Sequence, residues 1–400
     1  MISLNFVFIF ALVIIGISLL PVIFPALLLN EFGSISTDKY EKFEIGNNAI
    51  LLISSNVVIF SIGFLYKKNK ILDLSSVINK LRNFEFSKKY SLIIGIIILS
   101  VYAGITSPEL ALDESEQYAD FDIVLNGIET FPITDSGDTT YDEQNSRFVR
   151  MILLIFSHDY LDNVKIIPFI FSIVLVIISG LIAIQISHRR IAGILTMVVL
   201  LQAYTFLEYD TIAVYENFWV CFFLLSIYTI QKRWYLSGIF YLLSVFSKAF
   251  ATPFLILNIF YLLRIDADRS TKLKVLASYG VVILLMLVLF AIGNTIYDDI
   301  IQIDFNRFLN GFAHFSSQMQ FDLFLLIMIL PVTFGLFFAA RNGIKNAESL
   351  LFFIPALLLF GPLVGLMTDY FVTLPYRFVP LVAFFSISFG VVVFRNFKSS

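Results

Sequence analysis

The sequence predicts an all-α, polytopic membrane protein, and three observations carry that prediction. Its 400 residues are 58% hydrophobic and 14% charged, with a mean hydropathy of +0.88, a composition outside the range of soluble globular domains. Apolar windows near the length needed to cross a bilayer recur from end to end. The segments between them alternate in charge, basic on one side and acidic on the other, as the positive-inside rule requires of a chain that crosses repeatedly.

The windows fall at roughly 6–29, 48–65, 90–107, 166–187, 191–207, 212–230, 235–247, 250–264, 275–293, 323–340, 350–367 and 379–394, which gives about twelve spans. The first has no basic flank before it and is too long for the core of a cleaved signal peptide, so it is expected to stay as a span, kinked at Pro21 and Pro25. Windows 235–247 and 250–264 are the shortest, parted only by the SKA stretch around Lys248. With the amino terminus inside, segments 66–89, 188–190, 231–234, 264–274, 341–349 and the tail from 395 hold 19 of the 27 basic residues but five of the 30 acidic ones. Both termini are then cytoplasmic, and the long loop from about 108 to 165 is extracytoplasmic. Cys221 is the sole cysteine, which excludes an intrachain disulfide. His158, His188 and His314 are scattered, and there is no glycine-rich phosphate loop, no Cys/His metal spacing and nothing that points to nucleic acid. No window outside the spans is long enough to bury a separate core.

Chemistry is expected in the first large outer loop. The stretch from Leu112 to Pro132 reads LDESEQYADFDIVLNGIETFP and gathers Asp113, Glu114, Glu116, Asp120 and Asp122 within ten residues. Tyr118, Phe121, Leu125 and Ile128 follow at helical spacing, which predicts a short amphipathic helix ended at Gly127 and FPITDSGD. Two readings stay open: a catalytic acidic loop, or a capping box in which Asp113 and Glu116 begin that helix. Phe148 to Phe156 is a half-length apolar helix expected in or near the outer interface. In the last large outer loop Ile301, Phe305, Phe308, Phe312, Phe315 and Met319 form one stripe, as in a helix lying flat on the membrane. A third outer segment, EYDTIAVYEN, carries Glu208, Asp210 and Glu216. Glu216 is equally suited to complementing the positive end of the helix it precedes, and Asp210, on the loop, ranks lowest of the three.

DESEQYADFDIVLNGIETFP in the first outer loop, closely followed by Arg147, Arg150 and a half-length helix, resembles the GT-C superfamily of membrane glycosyltransferases. The nearest likeness is to the branch of protein O-mannosyltransferases and aminoarabinose transferases, where an Asp-Glu pair followed by a Tyr opens this loop. The stretch RRIAGILTMVVLLQAYTFLEYDTIAVYENFWVCFFLLSIYTI resembles that branch's next helical hairpin, and LLSVFSKAFATPFLI its span ending in a Lys. The likeness covers roughly Tyr90 to Phe394, so residues 1–89 form two extra amino-terminal spans with a cytoplasmic loop, and 90–400 the GT-C-like body. What the resemblance implies is transfer of a sugar from a polyprenyl-phosphate donor to a hydroxyl of a protein, lipid or glycan acceptor, with inversion. Asp113 or Glu114 would take the acceptor proton, worth roughly 10²–10⁴ in rate, and the resemblance favours Asp113. Tyr118, Glu208, Asp210 and Glu216 would shape the acceptor pocket.

A departing lipid phosphate needs cations on an otherwise negative outer face. Lys248, Arg147, Arg150 and Arg377 are four of the eight basic residues there, the arginines able to clamp phosphate oxygens in pairs. For Lys248 and Arg377, snorkelling to the interface is the competing role. No cofactor or metal is expected, although the acidic loops leave room for a divalent ion, as in the oligosaccharyltransferase branch. A secondary transporter or lipid flippase, which places its charges near the midplane, and a non-catalytic envelope-complex subunit are the alternative functions.

Overall fold

The computed structural model describes residues 3–28, 41–68, 84–115, 117–118, 120–131, 147–292, 305–367 and 375–394. All regular structure among them is helical. In chain order the α-helices are α1 (Leu4–Ile23), α2 (Ala49–Lys67), α3 (Lys88–Thr106), α4 (Phe121–Thr130), α5 (Phe148–Leu161), α6 (Ile166–Ser187), α7 (Arg190–Leu200), α8 (Tyr204–Glu208), α9 (Phe218–Lys232), α10 (Trp234–Ser247), α11 (Leu255–Arg264), α12 (Arg269–Ile292), α13 (Phe305–Ser317), α14 (Leu323–Arg341), α15 (Lys345–Met367) and α16 (Val379–Val393). Each of the twelve apolar windows carries a helix. Among the described residues eight stretches are long and apolar enough to cross a membrane: α1, α2, α3, α6, α12, α14, α15, and α16 together with the 3₁₀ turn Pro375–Phe378 that precedes it. The other four, Arg190–Leu200, Phe218–Lys232, Trp234–Ser247 and Ala249–Arg264, have 10–17 residues and rise at most about 26 Å, short of the roughly 30 Å hydrocarbon core. The first helix carries Pro21 in its last turn and ends at Ile23, so Pro25 lies beyond it.

The chain forms two compact units, each assembled from separated stretches: Met1–Ser91, Ala183–Thr205 and Tyr297–Ser400 in one, Leu92–Ile182 and Phe206–Ile296 in the other. In the first unit, α1 packs on α13, α14 and α15, α2 on α14, and α16 on α7. The α7–α16 contact depends on Gly390, where a Cβ would stand 2.6 Å from the Ala192 carbonyl oxygen and collide with Thr196 Oγ1. Thr196 uses the close approach to donate to Ser386 O at 3.2 Å. The stripe on α13 meets protein where a flat surface helix would meet lipid. Phe312, Phe315 and Met319 are buried, Gly311 sits against Pro362 of α15, and Phe305 alone of the described stripe is strongly exposed. Ile301 lies outside the described residues.

In the second unit, α9 and α10 form an antiparallel hairpin turning at Arg233, and α10 also packs on α12 and α5. Buried hydroxyls tie it together: Ser244 Oγ donates to Trp219 O at 2.7 Å and Ser237 Oγ to Ser226 O at 2.8 Å. Hydroxyl-to-carbonyl bonds of this kind stabilise helix pairs where water is scarce. The half-length helix predicted from Phe148 runs to Leu161 and turns Val149, Arg150, Met151, Leu154 and Ser157 inward.

Candidate functional site

The second unit contains a buried cluster of charges around an irregular stretch, residues 209–217. Between α8 and α9 this loop is almost wholly enclosed: Asp210, Thr211, Ala213, Val214 and Glu216 are all buried. A buried loop has backbone groups that no helix or water satisfies, so side chains must reach them. Glu114 accepts the Ala213 N–H, at 3.0 and 3.2 Å to its two oxygens. Arg150, on the buried face of α5, donates to Val214 O at 3.0 Å and Ala213 O at 3.4 Å, and through Nε to Glu216 Oε2 at 2.9 Å. Asn217 Nδ2 donates to Tyr209 O at 3.0 Å.

The turn that carries Asp113 and Glu114 is gripped from below. Helix α3 passes into a 3₁₀ turn, Ser107–Ala111, with Pro108 near its start. Lys165, 6% exposed, donates to Glu109 O at 2.7 Å and Leu112 O at 3.2 Å, and lies 3.6 Å from Glu114 Oε1. Asn163 Nδ2 donates to Leu110 O at 2.8 Å. Four consecutive residues, 109 to 112, thus have three carbonyls held by two side chains at the start of α6. Asp113 itself points outward. It is exposed, and its Oδ1 accepts the Ser115 N–H at 3.0 Å, a bond that keeps its carboxyl below the usual range. Burial pushes the Glu114 carboxyl up, against the pull of the Ala213 N–H and Lys165.

Asp210 is the third distinctive acid. Its Oδ2 accepts the Tyr102 hydroxyl at 2.7 Å and, at 3.5 Å, that of Thr106. Its buried Oδ1 receives no hydrogen bond from the protein. Burial, with a smaller contribution from the nearby Glu109 charge, pushes its pKa up to about 7. Glu216 also has one buried oxygen, Oε1, without a hydrogen bond.

The structure therefore brings together Glu114, Asp210, Glu216 and Arg150, with Asp113 on the rim. Tyr118 is half-buried, its ring edge-on to Tyr215 at 5.3 Å. Glu208 is exposed at the end of α8, and Arg147 is half-buried just before α5. Lys248 follows α10 in extended backbone and is 8% exposed, enclosed by protein and not extended into solvent. Arg377 belongs to the other unit, where Nε donates to the Tyr376 hydroxyl at 3.2 Å. The capping-box role for Asp113 is not observed: α4 begins at Phe121 after Asp120, and Glu116 lies outside the described residues. Glu216 serves Arg150, not the amino terminus of α9, which follows Asn217. Asp210, ranked lowest from the sequence, is the acid with the most perturbed proton affinity in the loop. Sequence reasoning missed Tyr102, Glu109 and Lys165. The signal for Lys165 was available, since a cation at the amino-terminal end of a helix is unfavourable unless paired.

Among the described residues no three His, Cys, Asp or Glu side chains converge as metal ligands. No protein-family model, curated protein or solved structure matches the chain.

Proposed function

We propose that the chain is an integral membrane glycosyltransferase of GT-C type, moving a sugar from a polyprenyl-phosphate donor to an acceptor hydroxyl at the extracytoplasmic surface. The observation that carries this reading is the rigid mounting of one exposed carboxylate over a buried charge cluster. Asp113 is the base: accessible, ionised throughout the physiological range, and fixed between the Lys165-held carbonyls and the Glu114 anchor. Such support from packed neighbours is what positions a reacting group within a fraction of an ångström. Glu114 is then a positioning residue, because both its oxygens are committed to Ala213 and it is 2% exposed.

In the reaction the acceptor hydroxyl gives its proton to Asp113 as its oxygen bonds to the anomeric carbon. The bond from that carbon to the phosphate oxygen breaks, and the electron pair leaves with the lipid phosphate. Lys248 and Arg147 are the cations assigned to that phosphate. Arg150 is committed to Glu216 and two carbonyls, and Arg377 belongs to the other unit, so neither is assigned to it. We further propose twelve spans, the four shorter apolar helices completing the eight long ones, with both termini cytoplasmic as the Lys and Arg distribution requires.

The test is incubation of the purified protein in nanodiscs with radiolabelled polyprenyl-phosphate sugars and membrane-derived acceptors. Donor consumption that depends on acceptor supports the proposal. Donor left intact under every acceptor condition removes it.

A further inference from the structure

The buried loop of residues 209–217 carries an acid that the proposed reaction does not use. Asp210 is 1% exposed. It accepts hydrogen bonds from two neutral hydroxyls of α3, Tyr102 at 2.7 Å and Thr106 at 3.5 Å, both to Oδ2, while Oδ1 is closed off and receives none. The cations around the loop are committed elsewhere. Lys165, at the start of α6, serves Glu109 O, Leu112 O and Glu114. Arg150 on α5 serves Glu216 and the carbonyls of Ala213 and Val214. Glu109, half-buried on the 3₁₀ turn, accepts the hydroxyl of Thr211, the residue next to Asp210, at 3.4 Å. The group that joins Asp210 at this corner is thus a second acid.

The titratable groups set around the loop are therefore Tyr102, Glu109, Glu114, Lys165, Arg150 and Glu216, and among the described residues none of the cations pairs with Asp210. An enclosed carboxylate without a counter-ion, beside a second negative charge, is costly to ionise, whereas the protonated acid is not. Burial and Glu109 accordingly raise its pKa to about 7. Water is close. Glu208, two residues away, is exposed, and Tyr102 lies about 6 Å of rise from the end of α3.

We propose that Asp210 is a latch set by acid: protonated, it seats residues 209–217 against α3, and on losing its proton it lets this loop lift while the helices stay folded. Lifting reaches the neighbouring turn, because the Ala213 N–H is what Glu114 accepts. With the loop lifted, the turn that carries Asp113 loses that anchor. The lifted loop returns Asp210 to water and to its ordinary acidity, so lifting releases one proton. Its equilibrium rises by up to about tenfold per pH unit, from about pH 4, and levels near pH 7, where the seated acid also ionises. The latch goes beyond the glycosyltransferase reading, and its test assays no activity.

The measurement is amide hydrogen exchange on the full-length protein in nanodiscs from pH 5 to pH 8, each rate divided by the intrinsic chemical rate at that pH. Protection of the Ala213 amide and its neighbours in residues 209–217 should fall about tenfold or more between pH 5 and pH 7 and then level. Protection of Phe218–Lys232, the adjoining α9, should stay constant. Asp210→Asn should keep the loop at its pH 5 protection throughout. Glu109→Gln removes the second charge, leaves the carbonyl that Lys165 grips, and should shrink the fall. Loop protection that does not change with pH overturns the proposal on the unmutated protein alone. So does a fall that α9 shares, which is global unfolding, or one that persists in Asp210→Asn, which belongs to another group such as Glu114.

Discussion

Adjacent acidic residues have opposite fates in this protein, and the difference is testable. Asp113 is exposed and Glu114 is 2% exposed. Replacing Asp113 by Asn should lower turnover roughly 10²–10⁴-fold while the thermal midpoint in detergent stays where it was. Glu114→Gln should act on stability, lowering it by about 3–5 kcal/mol because it leaves the buried Lys165 ammonium uncompensated, and turnover should fall with it as Asp113 loses its anchor. A variant pair in which Asp113→Asn keeps full turnover would remove Asp113 from the chemistry. Asp210 makes a separate prediction through pH. Burial holds its folded pKa at about 7, above the ordinary Asp value of 3.8, so the folded state holds the proton more tightly than the unfolded chain. Stability from this group is present at low pH, declines as pH rises from about 4 to 7, and then levels. Asp210→Asn keeps an oxygen for the Tyr102 hydroxyl and carries no charge. Its thermal midpoint should therefore match the parent near pH 4 and exceed it at pH 8. A constant offset across that range would show that Asp210 does not titrate as its burial requires.

At the scale of elements, close helix packing and open helix faces call for different glycines. Gly390 on α16 faces the Ala192 carbonyl and Thr196 of α7, leaving no space for a methyl group. Gly390→Ala should cost about 1–3 kcal/mol through overpacking and should weaken the Thr196 to Ser386 bond that joins the two helices. Gly280 on α12 meets nothing within 4 Å. There Gly280→Ala should raise stability by about 0.5–1 kcal/mol, since a helix-interior glycine is replaced without a clash. Denaturation of both variants side by side in one detergent checks the contrast. The helix positions were legible from apolar windows, all twelve of which carry a helix. Their partners were not: the α13 stripe has the periodicity of a surface helix, and only the contact with Pro362 and Gly361 of α15 shows that its Phe312 and Phe315 face protein.

For the molecule as a whole, the charge asymmetry makes a prediction about sidedness. Cys221 is the sole cysteine and is buried, so a Cys221→Ala background is suited to accessibility mapping. Cysteines placed at Asp113 and Glu208 should react with a membrane-impermeant maleimide from outside intact cells. One placed at Arg264 should react only after permeabilisation. Labelling of residue 264 from outside would invert the topology and, with it, the proposed extracytoplasmic reaction.

The helical class, the apolar segments and the acidic loop could be read from the chain in order because hydropathy, charge and helical periodicity depend on near neighbours. Which acids are buried, and by whom, could not. The decisive pairs join Glu114 to Ala213, Arg150 to Glu216 and Tyr102 to Asp210 across 99, 66 and 108 residues. Each carboxylate's proton affinity follows from those distant partners and from the water they exclude, so only the tertiary structure separates the exposed acid from its buried anchor.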